Sequence, residues 1–389
     1  MSGSAASLEQ RRLAQLGAVL WALGCLVGFV LLVWMFVLLP LLSEPDPLRV
    51  YLAELVAFGF ALPACFVYIW VPVLIDRFDP EPWWALLMTF LWGALAAAGL
   101  AGFINSALGI AGGVVGGQLG AAFMGGVVSA PLAEEALKGA AVLGMLWFVR
   151  REFDGVVDGV IYATFSALGF AMTENVLYYS RGLVAPEAGA FVGVVVLRGI
   201  LEPWAHPLFS SLFGIGIGIA RETHRTWLRW VAPTLGYLAA VMLHAMWNGV
   251  AVLSGLTGVP FHILLVLAYF VVMLLFLALM VGLVAREGYQ LRRHLRDEVP
   301  LGYITPEQLD LICSPLGRLQ AYMSHGSKGR LLVKAGVRLG MAKWHASRAL
   351  QGQMHTISFD AVGPLRGEVI RLGRELQPRV SRGATQSSG

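Results

Sequence analysis

Long apolar runs fill residues 1–285 of this chain, and they are the feature that most constrains its fold. Each run exceeds the ~20 residues that an α-helix needs to cross ~30 Å of hydrocarbon. The sequence therefore predicts an all-α fold, a polytopic membrane helix bundle with about eight transmembrane helices. The runs cover residues 17–41, 52–75, 83–108, 119–149, 155–180, 188–220, 229–253 and 261–285.

The composition supports this prediction. Of the 389 residues 57% are hydrophobic and 13% are charged, whereas soluble chains are about 45–50% apolar and 25% charged. These values exclude a disordered protein and argue against a soluble α/β enzyme.

The first run is too long for the apolar core of a signal peptide, so we interpret it as a membrane anchor. Three cysteines are too few for a disulfide framework or a thiolate metal site.

The run at 188–220 differs from the others because it has 33 residues and contains two prolines. Pro203 and Pro207 are expected to break a helix there. The run therefore predicts either one kinked crossing or a crossing with a re-entrant piece.

Charge divides the chain into two regions. Residues 1–285 hold 12 Lys and Arg against 16 Asp and Glu, a net of −4, and residues 286–389 hold 16 against 8, a net of +8. We predict a transmembrane bundle over 1–285 and a basic cytoplasmic tail over 286–389. The basic surplus belongs to the tail of a membrane protein, so it does not indicate nucleic-acid binding.

Basic residues in the short connections predict the orientation. They alternate along the chain, which places both termini in the cytoplasm of a multi-pass protein in the cell membrane. Only Arg49 and Arg181 lie on the opposite side. The residues on the cytoplasmic side are Arg11, Arg12, Arg77, Arg150, Arg151, Arg221, Arg225, Arg286, Arg292, Arg293 and Arg296.

The tail carries helix signals. Thr305 and Pro306 are typical of a helix N-cap and first position, and a second amphipathic stretch covers roughly 364–376. Residues 381–389 are expected to be disordered. Two interpretations are open for the tail: a helical appendage near anionic lipid headgroups, or a binding site for a specific partner.

Ionisable residues within the apolar runs indicate function, because charges at membrane depth usually face a cavity or the bundle interior. They cluster in four segments. Counted at 1.5 Å per residue from the nearest cytoplasmic charge, each segment lies roughly 22–24 Å deep, in the outer half of the bilayer. The residues are Glu134, Glu135 and Lys138; Glu174 and Asn175; Arg198, Glu202 and His206; and His244 and Asn248.

A purely structural role is the alternative for each segment. A Glu–Lys pair can be a packing contact, a single His can be merely hydrogen-bonded, and Asn248 can join two helices. However, Lys138 neutralises only one of the two adjacent carboxylates of Glu134 and Glu135. Four such segments at one depth therefore predict a functional site.

Together these residues resemble the PrsW-type intramembrane proteases, which are related to the CAAX-protease and bacteriocin-processing group. The likeness covers roughly residues 60–255 and leaves out the first helix and the tail. It is carried by Asp76-Arg-Phe-Asp-Pro-Glu81-Pro-Trp-Trp84, Glu134-Glu135-Ala-Leu-Lys138 (the EExxK motif), Asp158-Gly-Val-Ile-Tyr-Ala, Gly169-Phe-Ala-Met-Thr-Glu174-Asn175, His206-Pro-Leu-Phe and His244-Ala-Met-Trp-Asn248.

The resemblance implies an intramembrane peptidase that hydrolyses single-pass membrane proteins such as anti-sigma factors. We expect Glu134 or Glu135 to be the general base, with Lys138 steadying its neighbour. Glu174 would position water or share a proton. His206 and His244 would donate to the oxyanion or protonate the leaving amine, and Asn248 would be a second oxyanion donor.

Metal dependence is left open by the sequence. Glu135, Glu174, His206 and His244 are a set that could bind Zn²⁺. There is no His-Glu-x-x-His motif, and Lys138 puts a cation where a ligand would stand, so the sequence favours a hydrolase with no cofactor. No Ser or Cys is suitably spaced from a His, which disfavours a covalent mechanism.

Two other classes of function use the same residues. A transporter or proton-coupled channel could use the Glu, Lys and His side chains as a relay, and a non-catalytic scaffold could bind membrane helices. The partners expected for the protease are a single-pass membrane protein and the lipid bilayer. The oligomeric state is not indicated.

Overall fold

The computed structural model describes residues 2–75, 81–150, 153–257, 261–351 and 358–376. Within these ranges every regular element is helical, so the predicted all-α polytopic bundle is confirmed. Asp76 to Pro80 of the motif connection, Arg151 and the tail end at 381–389 lie outside the described residues. The chain divides into two compact units, Met1–Met280 and Val281–Gly389, called the membrane unit and the tail unit below. The functional division predicted after residue 285 stays a prediction.

The helices of the membrane unit include short π-helical turns, at Trp34–Leu38, Trp92–Ala97, Phe123–Ser129 and Leu197–Leu201. Its α-helices are α1 (Ser2–Val33), α2 (Leu39–Ser43), α3 (Pro47–Tyr68), α4 (Trp70–Ile75), α5 (Trp83–Leu91), α6 (Ala98–Ala122), α7 (Ala130–Phe148), α8 (Val156–Val184), α9 (Ala190–Val196), α10 (Ala205–Glu222) and α11 (Leu228–Thr257). Helix α12 (Phe261–Leu295) begins in this unit and ends in the tail unit.

Six helical stretches among the described residues are long and apolar enough to cross a membrane, so the expected count of about eight is not confirmed. One of the six, Trp83–Phe148, is 66 residues long and contains a sharp break at Gly116 and Gly117. Gly117 has φ 61°, a left-handed conformation that favours glycine. Beyond this break α6 folds back on itself and packs against the π-helical turn that precedes α7. The stretch is therefore a helical hairpin.

The run at 188–220 is broken, as the sequence predicted, but at only one of its two prolines. Helix α9 and its π-helical turn end at Leu201, and α10 begins at Ala205, so the break includes Pro203. Pro207 is the third residue of α10. Its missing N–H costs nothing in the first turn of a helix, which is why Pro207 does not interrupt α10.

Helix α8 is the central helix of the membrane unit, with most of its residues buried. It packs along α10 and α3. A β-carbon added to Gly159 would lie 2.2 Å from the carbonyl oxygen of Gly214, so the backbones of α8 and α10 touch there. This close packing fixes the depth at which α8 and α10 present their polar residues.

The tail unit is also helical. It comprises the end of α12, a 3₁₀ turn at Arg296–Glu298, α13 (Pro306–Cys313), α14 (Pro315–Gln351) and α15 (Ser358–Leu376). Thr305 caps α13, since its hydroxyl accepts from the Gln308 amide at 3.2 Å and the Gln308 side chain accepts from the Thr305 amide at 3.0 Å. The predicted N-cap is therefore confirmed.

Candidate active site

Four helices bring the sequence-predicted ionisable segments to one place. Glu134, Glu135, Lys138, His206 and His244 are all buried there. The residues come from α7 (Glu134, Glu135, Lys138), α8 (Glu174), α10 (His206) and α11 (His244, Asn248).

Glu135 lies at the centre of a closed network. Its Oε1 accepts from Lys138 Nζ at 2.6 Å and lies 2.9 Å from His244 Nδ1. Its Oε2 accepts from the Ser210 hydroxyl at 2.7 Å. Both oxygens are engaged and the ammonium balances the charge, so Glu135 holds Lys138 and His244 in place.

Glu134 has one oxygen bound and one open. Its Oε1 accepts from Asn105 Nδ2 at 3.0 Å, and Asn105 Oδ1 accepts from the Ser129 hydroxyl at 2.7 Å. Its Oε2 is buried and accepts no hydrogen bond from any described residue. Lys138 Nζ and His244 Nε2 each lie 3.9 Å from this oxygen. A buried carboxylate oxygen in this state calls for a proton, a water or a cation.

The partners of His244 indicate which of its nitrogens carries the proton. Nδ1 faces the Glu135 carboxylate, which can only accept, so this nitrogen is the N–H donor of a neutral imidazole. The lone pair of Nε2 then points towards Glu134 Oε2. Two acceptors facing each other leave a position for a water that donates to both, or for a metal ion.

His206 has a partner on each ring nitrogen. Its Nδ1 lies 3.1 Å from Lys138 Nζ, and its Nε2 lies 2.8 Å from Glu174 Oε2. Glu174 also pairs with the guanidinium of Arg198, whose Nε donates to Asn175 Oδ1 at 2.9 Å. The ammonium can only donate, so His206 carries its proton on Nε2 and hydrogen-bonds to Glu174.

A cavity of about 300 Å³ adjoins these groups. Asn248 lines it and donates to the carbonyl of Gly126 at 2.8 Å. An amide carries two N–H donors, and this bond uses one of them. Apolar side chains of the first helical stretch, Leu32, Met35 and Phe36, form another part of the wall.

The donor set in the described residues can hold a metal ion. Glu134, His206 and His244 offer one ligand atom each within 4.8 Å of one another. One carboxylate with two imidazoles is a common set for catalytic zinc. The sequence-based candidates included Glu135 and Glu174 instead of Glu134. In the structure Glu135 hydrogen-bonds to His244, and Glu174 hydrogen-bonds to His206. Carboxylates commonly orient metal-binding histidines by such a bond to one ring nitrogen.

The sequence of this chain matches a known family of membrane proteases. Residues 81–280 match the model of a family described as PrsW family intramembrane metalloprotease. The chain belongs to the PrsW family. No solved structure matches it.

Three relatives, each named Protease PrsW, match the chain. The one from Geobacillus kaustophilus is 31% identical over 184 residues, covering 45% of this chain and 70% of the relative. The one from Oceanobacillus iheyensis is 28% identical over 199 residues, covering 51% and 82%. The one from Bacillus subtilis is 28% identical over 176 residues, covering 45% and 73%. This PrsW-family protein is therefore a multi-pass membrane peptidase that acts on a protein substrate within a membrane.

The structure adds polar residues to which the sequence analysis gave no role. Asn105 donates to Glu134 and is itself held by Ser129, Ser210 donates to Glu135, and Arg198 pairs with Glu174. The sequence analysis overlooked Ser210, which follows His206 by four residues and so shares its helix face. Asn105 is a single uncharged residue in an apolar run, and only the fold of the hairpin brings it to Glu134.

Proposed function

We propose that this protein cleaves single-pass membrane proteins, such as anti-sigma factors, in the outer half of the cell membrane. The proposed orientation has both termini in the cytoplasm. The proposed depth is supported by an equal spacing along the chain. Glu135, His206 and His244 each lie 15 residues from an arginine of a short connection, which is Arg150, Arg221 and Arg229 respectively. That separation corresponds to roughly 22 Å along a helix.

The observation that carries the proposed mechanism is the pair of facing acceptors, Glu134 Oε2 and His244 Nε2, beside the cavity. A water between them donates one hydrogen to each acceptor. A lone pair of the water oxygen then points into the cavity, towards the carbonyl carbon of the substrate peptide. Glu134 takes the proton as the water attacks, and then gives it to the leaving amine. Glu135 and Lys138 keep His244 in the required tautomer.

The oxyanion needs N–H donors at the cavity wall. The second N–H of Asn248 is proposed for this role, and Asn248 lines the cavity. The single N–H of His206 donates to Glu174, so His206 can donate to the oxyanion only after Glu174 moves. Glu174 and Arg198 hold His206 in orientation.

Glu134, His206 and His244 would hold a metal ion, and a zinc ion bound there would supply Lewis-acid polarisation of a carbonyl or a bound water. Because both nitrogens of His206 have partners, ligation by this residue requires Lys138 or Glu174 to move. The remaining residues keep the same tasks with or without the ion.

Coexpression with tagged single-pass candidates tests the function. The wild type is compared with Glu134→Gln, His206→Ala and, as a matched control on an exposed loop residue, Glu187→Gln. We expect a shortened substrate with the wild type and the control only. Cleavage that persists in Glu134→Gln would exclude the proposed base. An intact substrate in every strain would favour the transporter or the scaffold.

Metal dependence needs its own experiment. Purified protein is dialysed against a strong chelator, and its bound metal and its activity are measured in parallel. Full activity without bound metal would exclude a required metal ion and favour activation of water by the side chains.

A further inference from the structure

The start of α14 presents an apolar face to the outside of the tail unit. Residues 315–325 form one helical segment, and the chain turns at Gly326, where φ is 53°. Leu316 and Met323 are 80% and 79% exposed, and Leu319 is 54% exposed. At roughly 100° per residue, these three side chains lie in one narrow sector of the helix.

The opposite side of this segment is fixed against the tail unit. Ala321 is fully buried, and a β-carbon on Gly317 would lie 2.2 Å from the carbonyl oxygen of Asp310. The segment therefore cannot rotate to hide its leucines. The apolar sector is a stable surface of the folded unit.

The sequence that follows α13 is rich in basic residues, of which Lys343 pairs with Asp297 and Glu298. Residues 311–359 contain seven basic residues and no Asp or Glu. Lys328, Arg330 and Lys334, just beyond the turn at Gly326, are exposed. The seven are Arg318, Lys328, Arg330, Lys334, Arg338, Lys343 and Arg348.

A cleft with three arginines lies in the same unit. Arg292, Arg293 and Arg296 line a cavity of about 430 Å³ together with Tyr289 and Leu309. Arg292 pairs with Asp310, and Arg293 and Arg296 add positive charge beside it. The arginines belong to the end of α12 and to the turn that follows it. Helix α12 also supplies most of an apolar stretch, Val266–Glu298, that is long enough to cross a membrane. The tail unit is thus joined directly to a membrane-spanning helix.

We propose that residues 315–325 lie in the headgroup region of an anionic bilayer, with Leu316, Leu319 and Met323 directed into the lipid. A helix with an apolar face and flanking basic residues binds a membrane surface in this way. Each basic residue near anionic headgroups adds to the attraction. This inference concerns the tail unit and is independent of the proposed catalytic mechanism.

The test uses the full chain reconstituted in vesicles. Leu319→Cys is labelled with a polarity-sensitive fluorophore, in phosphatidylcholine alone or with phosphatidylglycerol added. Cys25, Cys65 and Cys313 are buried, and burial raises the pKa of Cys313 to about 11, so labelling at neutral pH favours the new cysteine. Ser324→Cys, an exposed residue directed away from the apolar sector, is the matched control.

We expect the label at 319 to emit at shorter wavelength in the anionic vesicles and to be quenched by lipids brominated near the headgroup. The label at 324 should change much less. Adding Leu316→Glu and Met323→Glu should abolish the shift. Ser324→Glu adds a smaller charge of the same sign roughly 80–140° around the helix from the three apolar residues and should preserve it.

Three results would overturn the proposal. One is a label at 319 that stays water-like in anionic vesicles. Another is an equal shift in neutral vesicles, which would remove the role of charge. The third is a shift that depends on the protein-to-lipid ratio, which would assign the face to contact between two copies of the chain.

Discussion

Glu134 and Glu135 are neighbours in the chain but have different surroundings, because successive residues of a helix point about 100° apart. Glu135 faces α10 and α11 and is enclosed by Lys138, Ser210 and His244. Glu134 faces Asn105 of the hairpin and the cavity. One carboxylate therefore organises the site while the other has an oxygen free for chemistry.

Replacing each glutamate by glutamine should separate these roles. Glu134→Gln should lower the cleavage rate by about 10²–10⁴-fold, the range of general-base contributions, with little loss of thermal stability. Glu135→Gln removes the counter-ion of a fully buried ammonium and should destabilise the fold by about 3–5 kcal/mol. Initial rates and thermal unfolding in detergent measure both effects. Equal losses of stability in the two variants would contradict the assignment.

Asn105 should act through Glu134. Asn105→Ala removes a hydrogen bond to a charged group, an interaction of about 1.5–3 kcal/mol, so we expect the cleavage rate to fall by about 10- to 100-fold. Gln118→Ala, at an exposed site near the hairpin turn, is the control. The pH profile of cleavage should also shift in Asn105→Ala, since the proton affinity of Glu134 depends on that bond. An unchanged profile would mean that Asn105 has only a structural role.

At the scale of elements, local signals predicted what depends on a few neighbouring residues. Thr305 and Pro306 specify the start of α13, and Pro203 specifies the break before α10. The rotation of α7 was not predictable, because it is set by close packing against several helices. That is why the sequence-based metal set contained Glu135, whereas the structure groups Glu134 with the two histidines.

The cap of α13 gives a prediction for the tail unit. Thr305→Ala removes the hydroxyl acceptor of the capping box and should cost about 1 kcal/mol of stability. Thr305→Ser keeps the hydroxyl and should cost much less. Limited proteolysis of the full chain, followed at sites between 299 and 313, compares the two variants with the wild type. Equal cleavage of both variants would argue against the cap.

At the scale of the whole molecule, the spacing of polar residues from the charged cytoplasmic ends of the apolar runs predicted four segments at one depth, and the structure brings residues of these segments together. The depth inferred for each polar residue depends only on the rise of a helix and the thickness of a bilayer. It is therefore unaffected by an error in the number of helices. The contributions of Asn105 and Ser129 depend on how the hairpin folds back at Gly116 and Gly117, and no periodic pattern encodes that contact.

Metal binding should be visible as a change in global stability. A ligand that binds only the folded state raises the unfolding temperature as its concentration rises. Zn²⁺ should therefore stabilise the chelator-treated wild type, and Glu134→Gln should respond much less. Glu187→Gln serves as the control for nonspecific binding. A wild type that does not respond to Zn²⁺, Co²⁺ or Mn²⁺ would speak against a metal centre at Glu134, His206 and His244.

The hairpin of Trp83–Phe148 also has a consequence for the insertion of the protein into the membrane during its synthesis. Helix α7 carries three ionisable side chains, and each costs about 2.5–3.5 kcal/mol when a nascent helix enters the bilayer alone. Asn105 and Ser129 lie on the same hairpin, where the Ser129 hydroxyl donates to Asn105 and the Asn105 amide donates to Glu134. If the two limbs enter together, the polar residues of α7 arrive with their first partners. The energetics thus favour insertion of the two limbs as a pair. His206 and His244 lie later in the chain, so they join polar residues of the hairpin that are already in the membrane.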